Sequence, residues 1–483
     1  MVHGHACLPL LHASREVLYA IKEAEDEAVW SQAQIGKRRE ITSFVSDLIQ
    51  ILTDRRWPAL ILPGKTKQID LGAMCELLLS RRGEATGVAL ASVILDAYGK
   101  ADADAQLAFL RILLNGFDVD QEALEKAIEA YGARRDPVSA SKLHDAAEPK
   151  RQELFRRLNM APGGTQALVR MREHLLQRLH AEPELSAVDT DFIHLFSSWF
   201  NRGFLTLQAM DWRTPANILE KIIRYEAVHE ITDWDELRRR VEPGDRRCFA
   251  FFHPQMPDEP LIFVEVALAR EIVTSMDVLL DPDRTPIPAE AANTAVFYSI
   301  SNCQAGLKGV SFGSLLIKQV VADLQQELPN LRKFVTLSPV PGFAEWLRQQ
   351  LAEPSSHLIS KADRAVLGAA DLLSPGEHVA DVRKALLSAA AAYLLHAKRA
   401  DGQPLDPVAR FHLGNGARLQ HINLLADRSG RAVRQSIGIM VNYLYDPKTI
   451  EENHELFAES RQVVASPETR KLFQGDSIEI ERA

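Results

Sequence analysis

Ser338 and His412 are polar side chains set among glycines and prolines that hold a reactive group in place. Ser338 follows the apolar run from Lys333 to Leu337 and precedes Pro339-Val340-Pro341-Gly342-Phe343. The two prolines fix an extended path, so the hydroxyl is presented at the carboxyl end of a strand, the usual place for a ligand in such sheets. There it can donate to a carboxylate or thioester oxygen; a turn serine bonding its own backbone is the alternative. His412 lies in the apolar run from Val408 to Leu413, just before Gly414-Asn415-Gly416, a turn with room for a bound group. An imidazole with an ordinary pKa near ~6.5 carries protons readily at neutral pH. Asn442-Tyr443-Leu444-Tyr445 closes a further apolar run, and strand alternation sends Tyr443 and Tyr445 to one face, as core or as site lining.

A second kind of chemistry is anion binding. Gly306, Lys308, Gly309, Val310, Ser311, Phe312, Gly313 and Ser314 form a loop between a β-rich run and an amphipathic segment with Ile317, Val320, Val321, Leu324 and Leu328 on one face. Glycines permit close backbone approach, and the free amides at a helix start favour an anion such as a pyrophosphate. The spacing is not the dinucleotide-binding fingerprint, and a plain tight strand-to-helix turn has the same residues. Gly64-Lys65-Thr66 is not a P-loop, because Ala59 stands where that motif needs a glycine. His3, His5 and Cys7 read as a terminal tail rather than a metal site. Cys7, Cys75, Cys248 and Cys303 form no CxxC pair, which argues against zinc ribbons and a disulfide framework and for a reducing compartment.

The elements that must position these groups fall into two halves. A chain of 483 residues exceeds one domain of roughly 100–200 residues. From Ser14 to Leu179 apolar residues recur at three and four, as in Val45, Leu48, Ile49 and Leu52, or Leu107, Leu110, Ile112 and Leu113, which predicts helices. Asp120 caps one that ends in the region from Gly132 to Pro137, and the polar stretch from Arg134 to Arg151 reads as a loop or polar helix crossing. From Cys248 the texture becomes β-rich: Cys248 to His253 and Leu261 to Leu268 predict an antiparallel hairpin. Ala295 to Ser301, a helix from Ser314 to Leu328, and Lys333 to Leu337 predict a parallel pair with a crossover. Val408 to Leu413 and Ile437 to Tyr445 read as two further strands. The fold class is α+β: an all-α domain over residues 1–185, then a mixed α/β domain over residues 186–483.

Composition narrows the partners. The formal charge, 56 − 65 = −9, lacks the basic footprint of nucleic-acid binding. The longest apolar stretch, Ala385 to Ala397, is too short to span a membrane and reads as a buried helix. With no leader or C-terminal targeting signal in view, the expected location is the cytoplasm.

Taken together, these strings resemble the malonyl-CoA decarboxylase family. The resemblance rests on Val296 to Ser301 with Gly306, Leu307, Gly309, Val310 and Gly313, on Ser338 to Phe343, on Asp406 to Ala417 and on Asn442 to Tyr445. It extends back through Trp199 to Leu205, Glu226 to His229 and Arg246 to Phe249. It implies an N-terminal helical domain that assists oligomerisation, as a homotetramer, and a catalytic domain similar to GNAT acyltransferases. The pantetheine arm of the substrate then enters between the splayed runs Ala295 to Ser301 and Lys333 to Leu337, with the pyrophosphate on Lys308 to Ser314. The resemblance makes Ser338, His412 and Tyr445 catalytic, malonyl-CoA and acetyl-CoA the ligands, and requires no cofactor or metal. One position departs from the pattern: Ser311 stands where animal members carry a glutamate, so a role for that carboxylate does not transfer. The substrate's own thioester accepts the electrons that carbon dioxide leaves behind, with His412 as proton donor to the enolate and Asn415 near the thioester oxygen. A GNAT-type acyltransferase, a CoA-sensing interaction protein and a thioesterase are the competing readings; the last lacks the GxSxG elbow.

Overall fold

A computed structural model describes residues 70–80, 83–310, 316–353, 357–372 and 379–474. The expectations for Val45 to Leu52, Gly64 to Thr66 and the His3, His5, Cys7 group lie outside the described residues, as do Ser311, Phe312, Gly313 and Ser314 of the glycine-rich loop. The chain divides into two compact units after Phe192.

The described part of the first unit is a succession of helices from Leu71–Ser80 to Gly164–Arg178. Short acidic caps set their starts: the carboxylate of Asp102 accepts from the Ala105 amide at 2.8 Å, and that of Asp120 from the Ala123 amide at 3.2 Å. Phe109, Leu110 and Leu113 of Ala103–Gly116 are buried, as their spacing requires. The polar stretch after Arg134 is mostly helix, Pro137–Ala147, started by Asp136 and Ser139 in a reciprocal capping box with Pro137 in the first turn. The rings of Phe155 and Phe192 stack at 4.2 Å, and Arg151 is buried in an ion pair with Asp191.

The second unit is built on one mixed sheet. Its strands are β1 Thr206–Met210, β2 Arg246–Phe252, β3 Ile262–Ala269, β4 Thr294–Asn302, β5 Lys333–Thr336, β6 Ser338–Pro339, β7 Arg418–Asn423 and β8 Met440–Tyr445. They lie in the order β1-β2-β3-β4-β5-β8-β6, with β7 also paired to β8. β2 and β3 are the expected antiparallel hairpin, and β4 and β5 the expected parallel pair, registered from Thr294↔Lys333 to Phe297↔Thr336. That pairing stops after Phe297 while β4 runs on to Asn302, so the two strands part at their carboxyl ends. A register shift between Glu265 and Val266 leaves Tyr298 without a partner on β3. Val296, Tyr298, Val335, Leu337 and Met440 pack on one sheet face against Met276 and Leu279, while alternation turns Thr336, Tyr443 and Tyr445 to the other. The all-α unit followed by a mixed α/β unit is the architecture the sequence predicts. Among the described residues no helix is long and apolar enough to cross a membrane.

The run from Val408 to Leu413 is not a strand. It forms the helix Pro407–Gly414, because Asp406 accepts the Ala409 amide at 2.8 Å and Pro407 occupies the first helical position, where its fixed φ and missing N–H cost nothing. The strand beside β8 is instead β7, after the Gly416 turn. β8 also starts later than Ile437, which sits at φ 56° and ends the helix Gly430–Ser436.

Candidate active site

Ser338, His412 and Tyr445 come from three elements and meet in a hydrogen-bonded line. Ser338 Oγ lies 3.0 Å from His412 Nε2, and His412 Nδ1 lies 2.8 Å from the Tyr445 hydroxyl. All three are buried. β6 delivers Ser338 directly after β5, paired to Val441 of β8, so its side chain shares a face with Tyr443 and Tyr445. The short helix Pro407–Gly414 hangs His412 over that face. The imidazole stacks on the Tyr443 ring at 4.6 Å and 24°, which fixes its plane.

Sequence reasoning missed Thr336, which ends the line. The Ser338 hydroxyl donates to Thr336 Oγ1 at 2.8 Å, the Tyr443 amide donates to the same oxygen at 3.1 Å, and Thr336 is fully buried. Asn442 Nδ2 in turn donates to the Thr336 carbonyl at 2.7 Å and to that of Val273 at 3.1 Å. A signal was present: residues two apart on a strand share a face, so Thr336 belongs beside Ser338. Two further buried groups brace the site. Tyr393 donates to Asp406 Oδ2 at 3.4 Å, and its hydroxyl lies 2.5 Å from where a Cβ on Gly342 would fall.

The line has a direction. With Ser338 donating to Thr336, Nε2 of His412 is the N–H that donates to Ser338 Oγ. A neutral ring then presents Nδ1 to accept from the Tyr445 hydroxyl. Burial pushes His412 down to about 3, which keeps the ring neutral at neutral pH. Burial raises the Tyr445 and Tyr443 phenols well above their ordinary value, and it lifts Asp406 to about 6. A neutral relay of this kind can donate to a developing oxyanion and pass a proton along its hydroxyls.

The other sequence candidates are placed as follows. Gly306 is buried in the turn Ala305–Leu307 and Val310 is buried behind it, while Lys308 and Gly309 are exposed. Gly309 has φ +82°, a backbone conformation that favours glycine. The helix Leu316–Glu327 follows the loop. Asn415 ends the His412 helix, and its Nδ2 donates to the Phe411 carbonyl at 2.6 Å, so that donor is engaged within the helix end. Among the described residues no group of three His, Cys, Asp or Glu side chains is arranged to hold a metal ion.

Residues 203–483 match the family model of the malonyl-CoA decarboxylase C-terminal domain, and residues 117–200 that of the malonyl-CoA decarboxylase N-terminal domain. The chain is similar to the crystal structure of malonyl-CoA decarboxylase from Rhodopseudomonas palustris, with 56% identity and a TM-score of 0.79 over 83% of this chain and 98% of that one. The crystal structure of the Agrobacterium vitis malonyl-CoA decarboxylase matches with 55% identity and a TM-score of 0.79, over 84% and 100% of the two chains. The mitochondrial malonyl-CoA decarboxylase of Rattus norvegicus is 32% identical over 418 residues, 78% of this chain and 84% of the rat protein.

Proposed function

The chain belongs to the malonyl-CoA decarboxylase family, and from that premise we propose that Ser338, His412 and Tyr445 carry its conversion of malonyl-CoA to acetyl-CoA and carbon dioxide. The observation that supports the assignment is the continuous line Tyr445–His412–Ser338–Thr336 at the parting of β4 and β5. When the bond to the carboxylate breaks, its electron pair moves into the thioester carbonyl and leaves an enolate, so the substrate supplies its own electron sink. The protein then has to hold the carboxylate out of the carbonyl plane, donate to the enolate oxygen and return a proton to carbon.

Ser338 is the member of the line placed to touch the substrate, since His412 Nε2 is covered by it. Its hydroxyl swings from Thr336 to the enolate; as that proton moves to carbon, the Nε2–H follows to Ser338 Oγ and the Tyr445 proton to Nδ1. Water restores the one proton that the reaction consumes. His412 thus acts through Ser338 rather than directly. Loss of one such donor costs on the order of 3–4 kcal/mol of barrier. Gly306, Lys308, Gly309 and Val310, with Ser311 to Ser314, form the cradle for the CoA pyrophosphate in this reading. Assembly as a homotetramer and a cytoplasmic location belong to the same reading; light scattering of the full chain and fractionation of the source cells test them.

The decisive experiment is incubation of chelator-treated protein with malonyl-CoA alone. Equimolar acetyl-CoA and carbon dioxide support the proposal. Free CoA with malonate identifies a hydrolase, and turnover that waits for an added amine identifies an acyltransferase.

A further inference from the structure

On the sheet face opposite Ser338, a cavity of about 170 Å³ opens between the start of β2, the helix Trp234–Val241 and the proline-rich segment after Leu280. It serves no part of the line described above. Pro243, Pro282 and Pro286 give it rigid walls, and Arg239, Arg240, Arg246 and Arg284 point its chemistry towards anions, against only Glu236 and Asp281 in the lining.

The arginines are unequally neutralised. Arg284 is held by Asp245 through two bonds at 2.6 and 3.0 Å, and Arg240 by Glu236 at 2.5 Å and Glu265 at 3.2 Å. Arg240 is almost fully buried, yet its Nε has no hydrogen-bond partner. Arg246 is also buried, and among the described residues its guanidinium donates only to the carbonyls of Asp245 at 3.2 Å and Leu279 at 2.6 Å. Its nearest carboxylate oxygen, on Asp245, is 3.8 Å away and on a group already committed to Arg284 and the Ile287 amide. Arg239 is exposed at the rim, and no described residue pairs with it. A buried guanidinium bonded to carbonyls alone is short of anionic partners, and burial lowers the Arg246 pKa from its ordinary value accordingly.

We propose that this cavity binds a phosphate group, as the free ion or as the end of a small phosphate ester, between Arg239 and Arg246. At about 30 Å³ per water the space takes one tetrahedral anion with a few waters.

The test is calorimetric titration of the full chain with inorganic phosphate and, separately, with methyl phosphate. Ionic strength is matched with chloride, and CoA is present at saturation so that the pyrophosphate cradle is already filled. One saturable site in either titration is expected. Arg239→Ala, an exposed change that leaves the core intact, should weaken it about tenfold, the size of one charge-assisted bond. Arg246→Gln should abolish it. No saturation with either probe overturns the proposal, and so does undiminished affinity in Arg239→Ala and Arg239→Glu, which remain informative if Arg246→Gln does not fold. The decarboxylation assay is independent of this result, so the two readings fail separately.

Discussion

Thr336 Oγ1 accepts the hydroxyl of Ser338 at 2.8 Å while its other lone pair accepts the Tyr443 amide at 3.1 Å. The residue that holds the Ser338 hydroxyl is therefore tied to the strand that carries Tyr445. Thr336→Val removes the oxygen that accepts both bonds and strands a buried amide, which costs about 1–3 kcal/mol of stability. Ser338 also loses its rest position, so turnover should fall tenfold or more with little change in KM. Thr336→Ser keeps the oxygen and should restore both. Urea denaturation and steady-state kinetics of the two variants check this, and a Thr336→Val enzyme of normal kcat removes the positioning role.

His412→Asn should lower turnover by about two to four orders of magnitude, the usual size of a general acid–base contribution. Tyr445→Phe keeps the packing and removes only the donor to Nδ1, so its loss should be smaller, on the order of tenfold. Ser338→Ala should fall at least as far as His412→Asn, because in the proposed relay the proton from His412 reaches carbon through it. Equal activity of Ser338→Ala and the parent protein in initial-rate assays contradicts that order.

The pH dependence has a fixed sign. His412 is neutral when folded down to about 3, against about 6.5 when unfolded, so between these values the unfolded chain binds more protons. His412 therefore contributes stability that is complete above 6.5 and is lost as the pH falls towards 3. His229, pushed down to about 4 chiefly by burial, acts in the same direction. Asp406 acts oppositely: raised from 3.8 to about 6, it is taken up protonated by the folded state, and that contribution is present below 3.8 and lost as the pH rises through 6. Asp406→Asn keeps a capping oxygen for the Ala409 amide while removing the titration. Its melting temperature should thus drop more steeply than the parent's between pH 6 and 4. Parallel melting curves against pH count against this assignment.

Much of this site is legible in the sequence because its parts are local. Proline-fixed geometry presents Ser338, and alternation by two puts Tyr443 and Tyr445 on one face. The helix around His412 is less legible, since six apolar-rich residues suit a strand or a helix alike. The Asp406-Pro407 pair that settles the matter is a cap signal, and its weight shows only when the Ala409 amide is seen to use it. The arginine cavity is not legible at all. Arg240 meets Glu265 across the sheet face and Arg246 meets the Leu279 carbonyl, partners 25 and 33 residues away that no local pattern connects.

Gly342 tests how the Ser338 loop is held against the His412 helix. Its φ of −96° is ordinary, so a side chain meets no backbone strain there. What a Cβ would meet is the Tyr393 hydroxyl at 2.5 Å, on the same buried tyrosine that donates to Asp406, the cap of the His412 helix. Gly342→Ala must therefore displace either the loop four residues after Ser338 or the ring that steadies the cap. A cost of about 1–3 kcal/mol is expected from overpacking, together with a fall in kcat. Tyr393→Phe removes the obstructing oxygen, so the double variant Gly342→Ala/Tyr393→Phe should recover part of both losses relative to Gly342→Ala alone. Strict additivity of the two changes in a double-mutant cycle would show that the hydroxyl is not what excludes a side chain at this position.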